Sequence, residues 1–188
     1  MGIASFPFYL LYAAGAPVFG ERKAFSSVMQ SVSLFPGISG EWLRRGVLKW
    51  VTGQALTDAC IGFGTLFSDP DICLGDNIYI GPRCDIGKVD IGRDTIIGSN
   101  VQILSGLNQH RFEDPFSPIK DQTGSFEKVM VGDDCWIGSG AIICAHIGQR
   151  CIIGAGSVVV KPIPGNTVAC GNPARVIRGI DDSALSLI

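Results

Sequence analysis

The sequence predicts an all-β solenoid, a parallel β-helix with an N-terminal helical extension and an extruded loop. Three observations predict it. Aliphatic–glycine pairs recur about every six residues: Leu74-Gly75, Ile80-Gly81 and Ile86-Gly87, then Ile91-Gly92 one residue early, then Ile97-Gly98 and Ile103. The beat returns at Val131-Gly132, Ile137-Gly138, Ile143, Ile147-Gly148, Ile153-Gly154 and Val159. Small residues stand four places after the aliphatic position, at Cys84, Thr95, Val101, Cys135, Ala141, Cys151 and Ser157, with Ile78 as the exception. A period of six is neither helical nor the alternation of a half-buried strand; it marks coils that take one short strand per flat face. Each aliphatic side chain is expected to point into the prism and stack on its neighbours, and each glycine to supply a backbone conformation needed at a corner.

Residues 1–52 read as a helical cap. Phe25, Val28, Met29 and Val32 recur at helical spacing and stop before Pro36-Gly37. Ser39 is the expected N-cap of a further helix, with Glu41 in its first turn. Leu43, Val47, Trp50 and Val51 form its apolar stripe, and Glu41, Arg44, Arg45 and Lys49 share another face. That face is read as a solvated outer surface, with contact to an anionic membrane as the alternative. An open solenoid end exposes core and strand edges, so something must cover it.

The first twenty residues carry no charged side chain and are interrupted by Pro7, Gly15 and Pro17. They lack the basic start of a secretory signal and the length of a membrane span. Met-Gly at the start is followed by Phe6 where myristoylation wants Ser or Thr. The stretch is expected to pack against the solenoid or its neighbours, or to touch a membrane surface.

The coils are expected over 53–172, with the loop expelled at 106–128 and a tail at 173–188. The loop, LNQHRFEDPFSPIKDQTGSFE, is rich in charged and turn-forming residues, and such loops on a rigid scaffold commonly carry chemistry. A corner is trimmed near Cys144-Ala145-His146, because Ile137 and Ile147 stand ten rather than twelve residues apart.

A net charge of −2 and a pI near 5.6 disfavour an electrostatic nucleic-acid binder. Seven cysteines without CxxC spacing read as buried thiols of a reducing cytoplasm. Only His110 and His146 are available, so a three-histidine metal site cannot form within one chain. His110 sits in the loop beside Arg111, Glu113 and Asp114, where a carboxylate could orient an imidazole that accepts a proton. His146, at a coil corner, is read as structural.

The string from Val131 to Arg178, with CWIGSGA, IIGAGSVVVK and ACGNPARVI in that order behind a one-histidine loop, resembles the hexapeptide-repeat acyltransferases. The resemblance covers roughly residues 60–180. It implies a left-handed coil, a homotrimer with sites between subunits, and acetyl-CoA as co-substrate with no metal required. It further implies His110 as general base, with Asn108, Glu113 and Trp136 near the acceptor. Ser139, Gly140, Ala155, Gly156 and Lys161 match positions along the pantetheine arm, and Arg175 and Arg178 match cations near the nucleotide phosphates. Val160 departs from a threonine common before that lysine. The segment LFPGISGEWLRR, the loop and the trimmed corner resemble O-acetyltransferases of capsule, exopolysaccharide and lipopolysaccharide clusters. That implies a sugar or surface-glycan hydroxyl as acceptor; another small hydroxyl acceptor such as an antibiotic, a metal-dependent hydratase, or a non-catalytic solenoid are the alternatives.

Overall fold

The computed structural model describes residues 3–56 and 58–180, so the end of the expected tail, 181–188, lies outside the described residues. Three helices, α1 (Phe6–Phe19), α2 (Glu21–Ser33) and α3 (Gly37–Thr52), precede five turns of parallel β-helix. The first face stacks Cys60–Ile61, Tyr79–Ile80, Ile96–Ile97, Trp136–Ile137, Ile152–Ile153 and Thr167–Gly171. The second stacks Leu66–Phe67, Asp85–Ile86, Gln102–Ile103, Ile142–Ile143 and Val158–Val159. The third stacks Cys73–Leu74, Val89–Ile91 and Val129–Val131, continued by single bridges at Ile147 and Ile163.

In each two-residue strand the second side chain points inward, and pairing in register aligns these into columns. Ile61, Ile80, Ile97, Ile137, Ile153 and Ala169 form one; Phe67, Ile86, Ile103, Ile143 and Val159 a second; Leu74, Ile91, Val131, Ile147 and Ile163 the third. All are buried. The small positions are buried too, and several reach the next coil: the Sγ of Cys84, Cys135 and Cys151 donate to the carbonyls of Gly98, Gly148 and Pro164, each at 3.1 Å. Burial raises the Cys135 thiol to about 11.

The reason for the hexad glycines differs from expectation. The left-handed conformations fall three residues after the aliphatic position, on Asn77, Arg83, Asp94, Asn100, Asp134, Arg150 and Asn166 among others, not on the glycines that directly follow it. Those glycines are required by the coil above. A Cβ on Gly138 would lie 2.4 Å from the backbone nitrogen of Ala155, a contact that cannot be relieved by moving a side chain.

The N-terminal part also departs from several expectations. α1 runs through Pro17 without a break, and Pro7 stands in its first turn, where no N–H is needed. Pro36 holds the N-cap position of α3, and the Ser39 hydroxyl donates back to the Pro36 carbonyl, so Ser39 is not the cap. Arg44 is not on a solvated face: it is 1% exposed and donates to the carbonyls of Ile61 (3.0 Å) and Phe35 (2.9 Å), with Val32 at 3.3 Å. The guanidinium therefore ties α2, α3 and the first coil together. Phe25, Val28, Met29, Val47 and Leu48 cover the open core, and the Gln54 amide bridges the Ile72 carbonyl and the Leu74 N–H at the strand edge.

At the other end, Ala174–Gly179 is a strand, antiparallel to Thr167–Gly171, where the sequence suggested a tail. It covers the edge of Thr167–Gly171 and becomes the outer strand of the first face itself. Two thiols expected to be buried, Cys73 and Cys170, are exposed because they occupy outward positions. No helix among the described residues is long and apolar enough to cross a membrane.

Candidate active site

The expelled loop leaves from the edge between the second and third faces. That edge is the tight one in every regular coil: Ile86 to Ile91, Ile143 to Ile147 and Val159 to Ile163 are all short steps between buried positions. The trimmed corner at Cys144-Ala145-His146 is thus a property of this edge, and it places His146 directly beneath the loop's root.

The loop is built on an antiparallel stem. Glu127 N–H donates to the Ser105 carbonyl (2.9 Å), Ser125 N–H to that of Asn108 (2.7 Å), and His110 bridges Thr123. Gly124 permits the close approach of the arms, since a Cβ there would meet the Gln109 carbonyl. The tip is closed by Asp114, which accepts from Phe116 N–H and the Ser117 hydroxyl, and by the Gln122 amide donating to the Asp114 and Ser117 carbonyls. Those bonds, the Ser117 hydroxyl foremost, hold the Asp114 carboxyl below its ordinary range. His110 therefore stands on the last rung of a stem, not on the tip.

The return arm is pinned by charge. Lys128 Nζ lies 2.6 Å from Asp71 and 3.0 Å from Asp90, and Lys88 Nζ 2.8 Å from the other Asp71 oxygen. Lys128 and then Lys88 pull the Asp71 carboxyl down, and Asp71 raises Lys128 in turn.

At the loop's root a cleft of about 260 Å³ is lined by residues that include Asn108, Glu127, Lys128, His146, Val160 and Pro162. The Asn108 amide donates to Glu127 at 3.1 Å, and His146 Nδ1 accepts the Met130 N–H. His146 is exposed and lines this cleft while also holding the Met130 N–H, as its structural reading expects; Glu127 and Lys128, not singled out in the sequence, line it too. Nothing in their spacing marks them, because only the fold returns them to one edge. Lys161 follows Val160 on the same edge. Glu113 accepts from the Phe112 N–H, and among the described residues no side chain hydrogen-bonds the His110 ring within the chain.

Apart from Lys161, the residues matched to the pantetheine arm lie on another edge, between the first and second faces. Ser99-Asn100, Ser139-Gly140, Ala155-Gly156 and Gly171-Asn172 occupy this edge in successive coils, with Gly140 N–H on the Ser99 carbonyl (2.8 Å) and Gly156 N–H on that of Ser139 (2.9 Å). Gly140 and Gly156 face open space, so the edge offers a smooth track along the rod. It leads to the hairpin that carries Arg175 and Arg178, both exposed. Trp136 is not a buried aromatic: it is 56% exposed on the first face, between Ile96 and Ile152. A groove of about 740 Å³ along the third face contains none of the residues expected in the site. Among the described residues no three His, Cys, Asp or Glu side chains cluster to hold a metal.

A loop-bearing hexad solenoid with a glycine track defines a class, and comparison with known proteins agrees. The family described as "Hexapeptide repeat of succinyl-transferase" matches residues 128–161. A protein of Escherichia coli K12 named "Putative lipopolysaccharide biosynthesis O-acetyl transferase WbbJ" is 32% identical over 137 residues, 69% of this chain and 68% of its own. The galactoside O-acetyltransferase of Lactococcus lactis is 34% identical over 62% of this chain and 57% of its own. The solved maltose O-acetyltransferase of Clostridium difficile 630 superposes with a TM-score of 0.76 at 29% identity, over 91% of this chain and 92% of that one. A galactoside acetyltransferase solved in complex with coenzyme A gives 0.73 at 27% identity, over 89% and 84%. The chain belongs to the hexapeptide-repeat acetyltransferase family, and its coil is the left-handed β-helix. Matches to the first curated relatives span between 55% and 68% of those proteins' lengths.

Proposed function

We propose that this protein transfers an acetyl group from acetyl-CoA to a hydroxyl of a sugar or surface-glycan precursor, as a cytoplasmic homotrimer and without a metal. Support for the donor comes from the relative that holds coenzyme A, and for the acceptor class from relatives named for lipopolysaccharide and galactoside acetylation. The observation that carries the reading is the separation of His110's stem and the glycine track onto different edges of one rod. Packing copies side by side brings the track of one subunit against the loop of the next.

In that cleft the His110 imidazole takes the acceptor hydroxyl's proton as its oxygen bonds to the thioester carbonyl carbon. The carbonyl becomes an oxyanion, held by a hydrogen-bond donor. It collapses with cleavage of the C–S bond, and the departing CoA thiolate takes the proton from the imidazolium. Asn108, Glu113 and Trp136 line the acceptor side; Ser139, Gly140, Ala155, Gly156 and Lys161 line the pantetheine, and Arg175 and Arg178 approach the phosphates.

His110→Ala is expected to lower turnover about 10²–10⁴-fold while CoA affinity by calorimetry stays within a factor of about two. Retained turnover, or equal loss of both, would refute the assignment. Mixing His110→Ala with a track-blocked Ala155→Trp variant and refolding together should restore part of the activity, because hybrids contain one intact site. A panel of sugars and antibiotics identifies the acceptor.

A further inference from the structure

Helix α1 has two apolar faces, and the fold uses only one. Phe8, Tyr9, Tyr12, Gly15 and Ala16 face inward, with Tyr12 edge-on to Phe25 and Phe8 to Phe35. Pro7, Leu10, Leu11, Ala14, Pro17 and Val18 recur at helical spacing on the opposite side and are all exposed. Leu11 is 64% and Val18 70% exposed. A helix apolar all round belongs in a core or a lipid phase, yet this one has no buried residue. The surface extends onto α3, where Trp42 and Ile38 are exposed and Trp50 stacks on Tyr9 at 5.7 Å.

We propose that this face lies in the headgroup–acyl boundary of an anionic lipid bilayer, with α1 parallel to the membrane plane. Three observations select lipid over a second copy of the chain. Charge is asymmetric: beyond the buried Arg44, residues 1–52 hold four basic and two acidic side chains, Arg22 and Arg45 being paired with Asp69 and Glu41, whereas 53–188 hold ten basic and fifteen acidic. Lys23 and Lys49 are exposed beside the apolar surface, where they would meet lipid phosphates. Trp42 and Trp50 supply the amphipathic rings that favour the interface. At fourteen residues α1 can lie in the boundary but cannot span it. The proposal does not depend on the acetyl-transfer reading.

The full chain is tested by cosedimentation with vesicles of phosphatidylglycerol and phosphatidylethanolamine, against phosphatidylcholine alone. Binding is expected to the anionic vesicles, to weaken as salt rises, and to fall about tenfold or more in Leu10→Glu/Val18→Glu. Circular dichroism, oligomeric state and acetyl-CoA turnover with a water-soluble acceptor should remain unchanged in that variant. Absence of wild-type binding at low salt would overturn the proposal, as would equal binding by the variant. A smaller assembly in the variant would assign the face to contact between copies and overturn it equally. Normal vesicle binding by a wild-type protein that shows no acetyl-CoA turnover would instead count against the acetyltransferase reading alone.

Discussion

The backbone N–H of Met130 donates to Nδ1 of His146 at 3.0 Å. A backbone N–H can only donate, so Nδ1 carries no proton in this arrangement and the neutral ring holds its proton on Nε2. His146 lines the loop-root cleft with Asn108 and Glu127, and Nε2 is its nitrogen left to donate.

His146→Phe should lower kcat/KM for the acceptor about fivefold, the worth of one hydrogen bond of about 1 kcal/mol, with KM for acetyl-CoA unchanged. Steady-state kinetics with each substrate varied separately reads the split. A fall as large as that of His110→Ala would show that the residue does more than bind.

Two neighbouring glycines should behave oppositely. Gly138→Ala drives a methyl into the Ala155 backbone and should cost about 2–3 kcal/mol, visible as a lower Tm. Gly140 faces open space at φ +71°, so Gly140→Ala costs only about 1 kcal/mol of backbone strain but places its methyl on the track. It should weaken CoA binding by calorimetry while the rod stays folded.

Arg44 is buried with its donors committed to three segments, and burial lowers its pKa. Arg44→Leu strands those carbonyls and should destabilise the fold by about 3–5 kcal/mol in denaturant titration. Arg44→Lys should recover little of this, since one ammonium cannot reach the same fork of partners.

Lys128 and Asp71 define a pH window for the loop. Asp71's carboxyl is held below its ordinary value, so its contribution is complete above about 4 and is lost as pH falls through the lowered folded value. Lys128 is raised, so its contribution is complete below about 10 and is lost as pH rises through the raised value. Protease nicking at 111–122 should be flat between these limits and increase outside them. Lys128→Met should show elevated nicking throughout.

The hexad beat was legible because a coil needs a buried aliphatic residue and a Cβ-free neighbour at each face, and both are visible in sequence. The loop and its histidine were legible because the beat stopped there. Arg44 was misassigned because helical spacing alone cannot tell solvent from a packed coil end. The place of His146 in the cleft was not legible because its neighbours, Asn108, Glu127 and Val160, come from three separate passes of the chain. The glycine rule was right in position and wrong in cause, since contact between coils leaves no local signal.

Because the stem emerges at the edge where each coil already turns most sharply, its two arms re-enter the rod without disturbing the pairing of Val89–Ile91 with Val129–Val131. The excursion can lengthen, shorten or be exchanged while every rung above and below keeps its partner. In the proposed function the loop carries the acceptor side and the coils the mechanical integrity, so a transplanted loop should retune acceptor choice on an unaltered axle.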